Sequence, residues 1–388
     1  MSNVVESPVT ETAAEPGAPR RSAAIAVMAV FLALAVAAAL VGSDQFNRKP
    51  STTDGDFTGE TVEVMIPLAA GGGTDTWARF VGQEMMRAVP GQPGFAPVND
   101  EGGEGIIGTN RFARSAPKDG TEVLVSTATT VVPWVLRRTE VKYDFNSLVP
   151  LVANGTGGAV YARSAAGVRG VRDLINRDHP LTFGGISATG LDLTTLVAFD
   201  LLGVRVKAVF GFEGRGPVNL ALQRGEVDLD YQTTSAWPSA VKSIIQDGTA
   251  VPLMSFGQLD ANGEVVRDPN FPKLPTVPEV YRQLRGSAPT GPAFEAYKTL
   301  LGLTYTYQKA MWVPADTPVE AVHTLRAAAA EVGQDPGFRK KADKVLGGYP
   351  LEADEALADR VRNAYTVDES VRGYILDLLR TQYNVKLG

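Results

Sequence analysis

The chain has 388 residues, 44% apolar and 21% charged, with a formal net charge of −6. That is too apolar for a disordered polymer and too polar for a multi-span membrane protein, and the length suits two or three structural units. Zero cysteine excludes a disulfide framework, thiolate metal sites and a cysteine nucleophile; His179 and His323 are too few for a His-rich metal site. No basic patch of the kind nucleic acid requires stands out, so neither a metal nor a nucleic-acid partner is expected.

In chain order, residues 1–22 read as a cytoplasmic leader, with Arg20 and Arg21 near its end. An unbroken apolar run from Ala23 to Val41 follows, closed by Gly42. At about 1.5 Å of rise per residue, nineteen residues come close to spanning a bilayer core of roughly 30 Å. Residues 23–42 are therefore either a cleaved signal peptide or an uncleaved membrane anchor, and the domain beyond works outside the cytoplasm, secreted or anchored. Residues 43–56, with Pro50, Ser51, Thr52, Thr53 and Gly55, read as a linker.

From Phe57 onward, β-rich runs alternate with helical ones, the signature of an α/β fold. Strands are predicted at Thr61–Pro67, Phe95–Asn99, Glu122–Ser126, Leu181–Gly184, Val204–Phe210 and Val251–Phe256. Trp77, Val81, Met85 and Ala88 recur at helical spacing. Further helices are expected over Gly108–Ser115, Leu191–Leu202, Gly216–Gln223, Ser235–Ile245, Thr317–Val332 and Ala356–Thr381.

Four strands run into loops of Gly, Ser and Thr that open helices, where ligands bind in open α/β sheets. The first is Pro67–Asp75, with Gly71, Gly72 and Gly73. A helix start leaves N–H groups unpaired and carries the positive dipole end, so an anion binds there without a basic side chain. Thr74 or Asp75 could instead cap that helix. The second, Asn99–Gly108, matches G-x-G-x-x-G at Gly103, Gly105 and Gly108. It lacks the acidic residue that should end the following strand, and three acidic residues in the loop would repel a pyrophosphate. No nicotinamide, flavin or other cofactor is expected. The third, Ser126–Thr130, offers hydroxyls to a polar ligand, including Ser126 and Thr127. The fourth, Gly184–Gly190, narrowly misses the G-x-S-x-G nucleophile elbow. Only His323 follows Ser187, and it sits in an alanine-rich helix, so Ser187 and Thr189 read as capping or ligand-bonding hydroxyls.

In order, these segments resemble the extracytoplasmic solute receptors of the tripartite tricarboxylate transporters, the Bug or TctC family. The carriers are Ile66–Asp75 with Ala78-Arg79, Val98-Asn99 leading into Gly102–Gly108, and Ala116–Thr121. Phe183–Gly190, Gly225–Asp228, Leu274–Glu279 and Trp312–Pro318 complete the set. The resemblance implies a type II periplasmic-binding-protein fold, with two α/β lobes and a ligand cleft between them. It implies capture of a small organic acid, delivery to a tripartite tricarboxylate-type membrane permease, and no catalysis. Carried over position by position, it selects Ala69, Ala70, Gly71, Gly72 and Thr74 with Gly103 and Gly105 from one lobe, and Ser187, Thr189 and Gly190 from the other.

Asp75, Ser126 and Thr127 join the candidates, and Arg215 as a bidentate carboxylate contact. The chain departs from the family at Asp100 and Glu101, at Glu104 where a small residue is usual, at Gly211–Arg215, and in a longer segment between Pro278 and Trp312. The extra acidic character disfavours a multiply charged ligand such as citrate. The expected organisation is 57–157 and 256–388 for the first lobe and 158–255 for the second, in a monomer. A serine-type hydrolase on a related fold and a membrane-anchored sensor are the alternatives.

Overall fold

The computed structural model describes residues 51–388, apart from Asn176, Ala261, Lys386 and Gly388. The expected signal peptide or anchor at 23–42 lies outside the described residues. Within them, no helix is long and apolar enough to cross a membrane.

Two separate sheets organise the chain. The first contains β1 (Thr61–Ile66), β2 (Gly94–Asn99), β3 (Glu122–Thr127), β4 (Leu148–Asn154), β12 (Lys309–Pro314) and β13 (Leu351–Glu352), in the order β13-β4-β12-β3-β1-β2. The second contains β5 (Gly158–Arg163), β6 (Leu181–Gly184), β7 (Val206–Val209), β8 (Leu229–Thr233) and β9 (Ala250–Ser255), in the order β7-β6-β8-β5-β9. A small hairpin of β10 (Gln258–Leu259) and β11 (Val265–Val266) stands apart.

The two sheets share one plan. In each, three strands are parallel (β2-β1-β3 and β7-β6-β8), and an antiparallel strand lies beside the third, β12 in one and β5 in the other. Helices alternate with the parallel strands: α1 (Gly73–Ala88), α2 (Ile106–Ser115) and α3 (Ala128–Val135) in the first sheet, α4 (Asp192–Leu202) and α5 (Arg215–Arg224) in the second.

The β1–α1 unit shows why the sequence folds this way. Val62, Val64 and Ile66 on one face of β1 join Trp77, Val81 and Met85 of α1 in one apolar cluster. Met65, on the other face, belongs to a second cluster with Phe112 and Leu124. A central parallel strand covered on both faces reads as a near-continuous apolar run. The buried Trp77 indole donates to Asn154 Oδ1 at 3.1 Å, so its N–H is not left unpaired.

The chain passes between sheets at Gly155–Gly157, and a second connection enters β12 from a π-helical turn at Gly302–Thr306. The two run side by side: Thr156 N–H donates to the Tyr305 carbonyl at 2.8 Å. Gly157 has no room for a side chain. A Cβ there would overlap the Asp268 carboxylate and the Tyr349 hydroxyl and reach within 2.6 Å of Thr234 Oγ1. The segment between Pro278 and Trp312 supplies most of α6 (Val277–Arg285) and all of α7 (Pro292–Leu301), which pack against α4. That burial explains the all-round apolar character of α4.

Several expected elements differ. Ser235–Ile245 is two short helices, Trp237–Ala240 and Lys242–Gln246, parted at Val241. The long helix over Ala356–Thr381 breaks at Thr366–Asp368 into Leu357–Tyr365 and Glu369–Gln382. Thr366 leaves helical dihedrals and donates its hydroxyl back to the Arg362 carbonyl, the local competition that β-branched hydroxyl residues offer a helix end.

Candidate ligand-binding site

The first loop leaves β1 and opens α1. Ala69, Ala70, Gly71 and Gly72 are exposed, whereas Thr74 and Asp75 are buried. Gly71 adopts φ +80°, which glycine accepts without a Cβ penalty. No side chain caps α1 at Gly72, and its first intrahelical bond is Thr76 N–H to the Gly72 carbonyl. The N–H groups of Gly73, Thr74 and Asp75 therefore precede the hydrogen-bonded ladder and carry the positive end of the dipole.

Asp75, expected among the ligand-binding residues, is bonded within its own lobe. Its carboxylate accepts from Gly71 N–H at 2.9 Å, Arg79 Nε at 2.8 Å and Asn99 Nδ2 at 3.0 Å. Burial works against its charge, but the Gly71 N–H, Asn99 and Arg79 together hold it below the usual carboxylate range. Gly71 N–H is consequently committed to the loop itself.

In the second loop four consecutive residues have positive φ: Gly102 (129°), Gly103 (53°), Glu104 (60°) and Gly105 (88°). Glu104 alone carries a Cβ there, a conformation costing on the order of 1 kcal/mol or more for a non-glycine residue. Asp100 and Glu101 stay apart from this turn. The Asp100 carboxylate accepts from Arg111 Nε at 2.6 Å, and Glu101 is exposed. Of the three acidic residues, only Glu104 reaches the second sheet's loop.

The third loop is spent on packing. Ser126, expected at the ligand, is fully buried and accepts from the Trp312 indole N–H at 2.7 Å. Thr127 ends β3, and its N–H donates to Thr130 Oγ1 at 3.1 Å to start α3. Both follow from a strand end that must enter a helix within one residue. The neighbouring Thr129 Oγ1 is buried without a partner.

The fourth loop is pinned by Asp192, the first residue of α4. One carboxylate oxygen accepts from Ile186 N–H at 2.6 Å and Ser187 N–H at 2.9 Å. The other pairs with Arg215. Arg215, expected as a carboxylate contact, donates to Asp230 at 2.7 Å and to the Gly184 carbonyl at 2.8 Å, and lies over the Tyr231 ring at 4.2 Å. Two internal carboxylates and a carbonyl take up its Nη atoms, while its buried Nε has no partner. Burial pushes the Asp230 carboxyl up to about 6, opposed by Arg215, the Tyr161 hydroxyl and the Tyr231 N–H. Ser187 Oγ lies 3.1 Å from Thr189 Oγ1 and accepts from Thr189 N–H at 3.2 Å, with no histidine among its partners.

The four loops meet. A Cβ on Gly105 would sit 3.0 Å from the Pro67 carbonyl and 2.9 Å from Thr130 Cγ2, so loops one, two and three converge there. A Cβ on Gly190 would sit 3.3 Å from Thr129 Cγ2, joining loop three to loop four. Between the sheets, Glu104 Oε2 accepts from Arg138 at 3.0 Å and from Thr189 Oγ1 at 3.2 Å. Arg138 escaped the sequence reading because it lies in a charged turn after α3. It is directed by Arg137, which takes a left-handed conformation with φ 55°.

No family model matches the chain. A UPF0065 protein of Agrobacterium vitis, from the TAR-I ttuE-ttuC' intergenic region, is 24% identical over 310 residues, covering 77% of this chain and 79% of that protein. Among solved structures, periplasmic binding protein BugD matches with TM-score 0.59 at 19% identity, over 84% of this chain and 99% of its own. A TctC solute-binding protein from Polaromonas matches with TM-score 0.59 at 20% identity, over 82% and 98%. MatC from Rhodopseudomonas palustris, with bound malate, matches with TM-score 0.58 at 20% identity, over 83% and 100%. The chain has the fold of the TctC and BugD periplasmic solute-binding proteins.

Proposed function

We propose that this chain is an extracytoplasmic solute-binding receptor that captures a small carboxylate-bearing solute for a tripartite tricarboxylate-type permease. The observation that carries the reading is the meeting of four strand-end loops from two sheets, two of them rich in glycine. MatC, solved with malate, and a further R. palustris protein, solved with adipate, have this fold.

In this reading residues 57–157 and 256–388 form one lobe and 158–255 the other, and they close on the ligand as a monomer. Ala69, Ala70, Gly72 and Thr74 hold a carboxylate through backbone N–H groups at the start of α1, backed by Gly103 and Gly105. Ser187, Thr189 and Gly190 contact the solute from the other lobe. Gly71, Asp75, Ser126, Thr127 and Arg215 set the shape of the loops. The protein binds and releases its ligand without chemistry, and residues 23–42 export it or anchor it.

A ligand that binds only the folded state raises its stability with concentration. Malate, adipate and other mono- and dicarboxylates should raise the melting temperature in proportion to the logarithm of concentration, with calorimetry giving one site. A flat response to every organic acid would sink the reading. Mass spectrometry of the mature N-terminus separates release from anchoring.

A further inference from the structure

Glu104 is the one acidic side chain of its loop that bridges the two sheets. Its Oε2 accepts from Arg138, in the turn after α3, at 3.0 Å and from Thr189, in the loop after β6, at 3.2 Å. Arg138 also donates to Thr189 Oγ1 at 3.2 Å, so cation, hydroxyl and carboxylate close a triangle. The guanidinium is largely covered, with 19% of its side-chain surface exposed, while 35% of Glu104 is exposed. A carboxylate held by a cation from one sheet and a hydroxyl from the other is how a ligand joining the two would be held.

The backbone around Glu104 suits a group that must move. Its φ of 60° is unfavourable for a side-chain-bearing residue, and glycines on both sides let it leave. Arg138 keeps a second partner when it does, since it donates to Glu140 at 3.2 Å.

We propose that Arg138 and Thr189 form a carboxylate subsite of the cleft and that Glu104 occupies it as a built-in stand-in, displaced by a carboxylate of the incoming ligand. The inference rests on the receptor reading above and adds to it a self-occupied subsite for the ligand's second carboxylate. The first carboxylate goes to the N–H groups that open α1, so the ligand is a dicarboxylate. Without ligand, Glu104 joins the loops of the two sheets; with ligand, the solute does, and Glu104 competes with it. Selectivity follows, because a monocarboxylate held at α1 gains nothing from displacing Glu104.

The chain contains no cysteine, so Glu60→Cys with Lys207→Cys allows spin labels to be placed uniquely, one before β1 and one on β7. Dipolar spectroscopy then reports the distance between the sheets, and calorimetry with malate and adipate reports affinity. In the ligand-free full chain, Glu104→Ala should lengthen and broaden the distance distribution and raise dicarboxylate affinity at least fivefold. Glu104→Gln, which keeps the shape, should move both in the same direction by less. Arg138→Gln should lower dicarboxylate affinity at least tenfold while leaving monocarboxylate affinity unchanged. If the parent protein binds dicarboxylates and the Glu104 variants change neither distance nor affinity, the stand-in is overturned and the receptor reading survives. If no variant and no parent binds any carboxylate, the receptor reading itself falls.

Discussion

The Asp75 carboxylate accepts the Gly71 N–H at 2.9 Å, so the first turn of α1 fastens the glycine loop that opens it. The fastening explains how a loop with three consecutive glycines can hold one shape. Gly71 and Asp75 bond to each other, and the N–H groups of Gly73, Thr74 and Asp75 precede the hydrogen-bonded ladder of α1.

Replacing Asp75 by Asn should therefore loosen the loop. The carboxyl is held below its ordinary value, so its stabilisation is present above the unfolded pKa of about 4 and is lost as pH falls through the folded value. Asp75→Asn should cost about 1–3 kcal/mol at pH 7. The difference from the parent protein should shrink below pH 4, as measured by urea unfolding across pH 3–7. A gap that persists unchanged at pH 3 would rule out the carboxylate as its source.

Gly72 offers the opposite kind of test. Its φ of −75° suits any residue, and a Cβ there would meet nothing nearer than the Ala69 carbonyl at 3.5 Å. Gly72→Asp should fold with stability within about 0.5 kcal/mol of the parent. Its carboxylate would cap α1 and repel an anion, lowering dicarboxylate affinity by two orders of magnitude or more in calorimetry. Unchanged affinity would remove loop one from the site.

Arg215 lies between Asp192 and Asp230, both buried. Arg215→Met should cost about 3–5 kcal/mol, because it leaves two carboxylates without their cation. The Asp230 carboxyl, already raised to about 6, binds its proton more readily in the folded than in the unfolded state. Its contribution to stability therefore falls as pH rises from about 4 to about 6, and should fall more steeply in Arg215→Met. Adding Asp230→Asn should recover part of the loss at pH 7, a coupling that a double-mutant cycle measures.

Lys309 begins β12, and its ammonium donates to Gln308. Burial pulls its pKa down to about 8. The unfolded chain thus binds more protons than the folded one between about pH 8 and the ordinary lysine value near 10.4, and stability should rise with pH across that window. Lys309→Met should raise the melting temperature at pH 7 and abolish the rise. A melting temperature that falls would show the ammonium to be stabilising.

Gly157→Ala would drive a methyl group into the hydroxyls and carboxylate of Thr234, Tyr349 and Asp268 beside the connection between sheets. Overpacking of this kind typically costs about 1–3 kcal/mol. Denaturant unfolding should show that loss, and scattering should show altered spacing of the sheets. No change in either would mean that the connection yields freely.

Much of the fold was legible because it is local. The Val62, Val64, Ile66 alternation, the helical spacing of Trp77, Val81 and Met85, and the glycine-rich junctions together specify βα units at the strand ends. Among the strands the sequence did not show, β4, β5 and β12 escaped because a strand buried on both faces loses its period-two pattern. The break at Thr366–Asp368 was missed because apolar residues continue at helical spacing on both sides of it.

The sequence by itself determined that the chain is α/β, that four Gly, Ser and Thr loops end strands, and that neither cysteine nor a histidine cluster supplies chemistry. Propensity, periodicity and composition act within a few residues of each other, so they are readable in order along the chain. Which polar groups are paired inside the protein was decided only by tertiary structure. Ser126 turned inward to Trp312 and Arg215 to Asp192 and Asp230 because buried donors and acceptors must be paired, and their partners lie as far as 186 residues away. Glu104, Arg138 and Thr189, separated by 34 and 51 residues, became one cluster because two sheets bring their loops together.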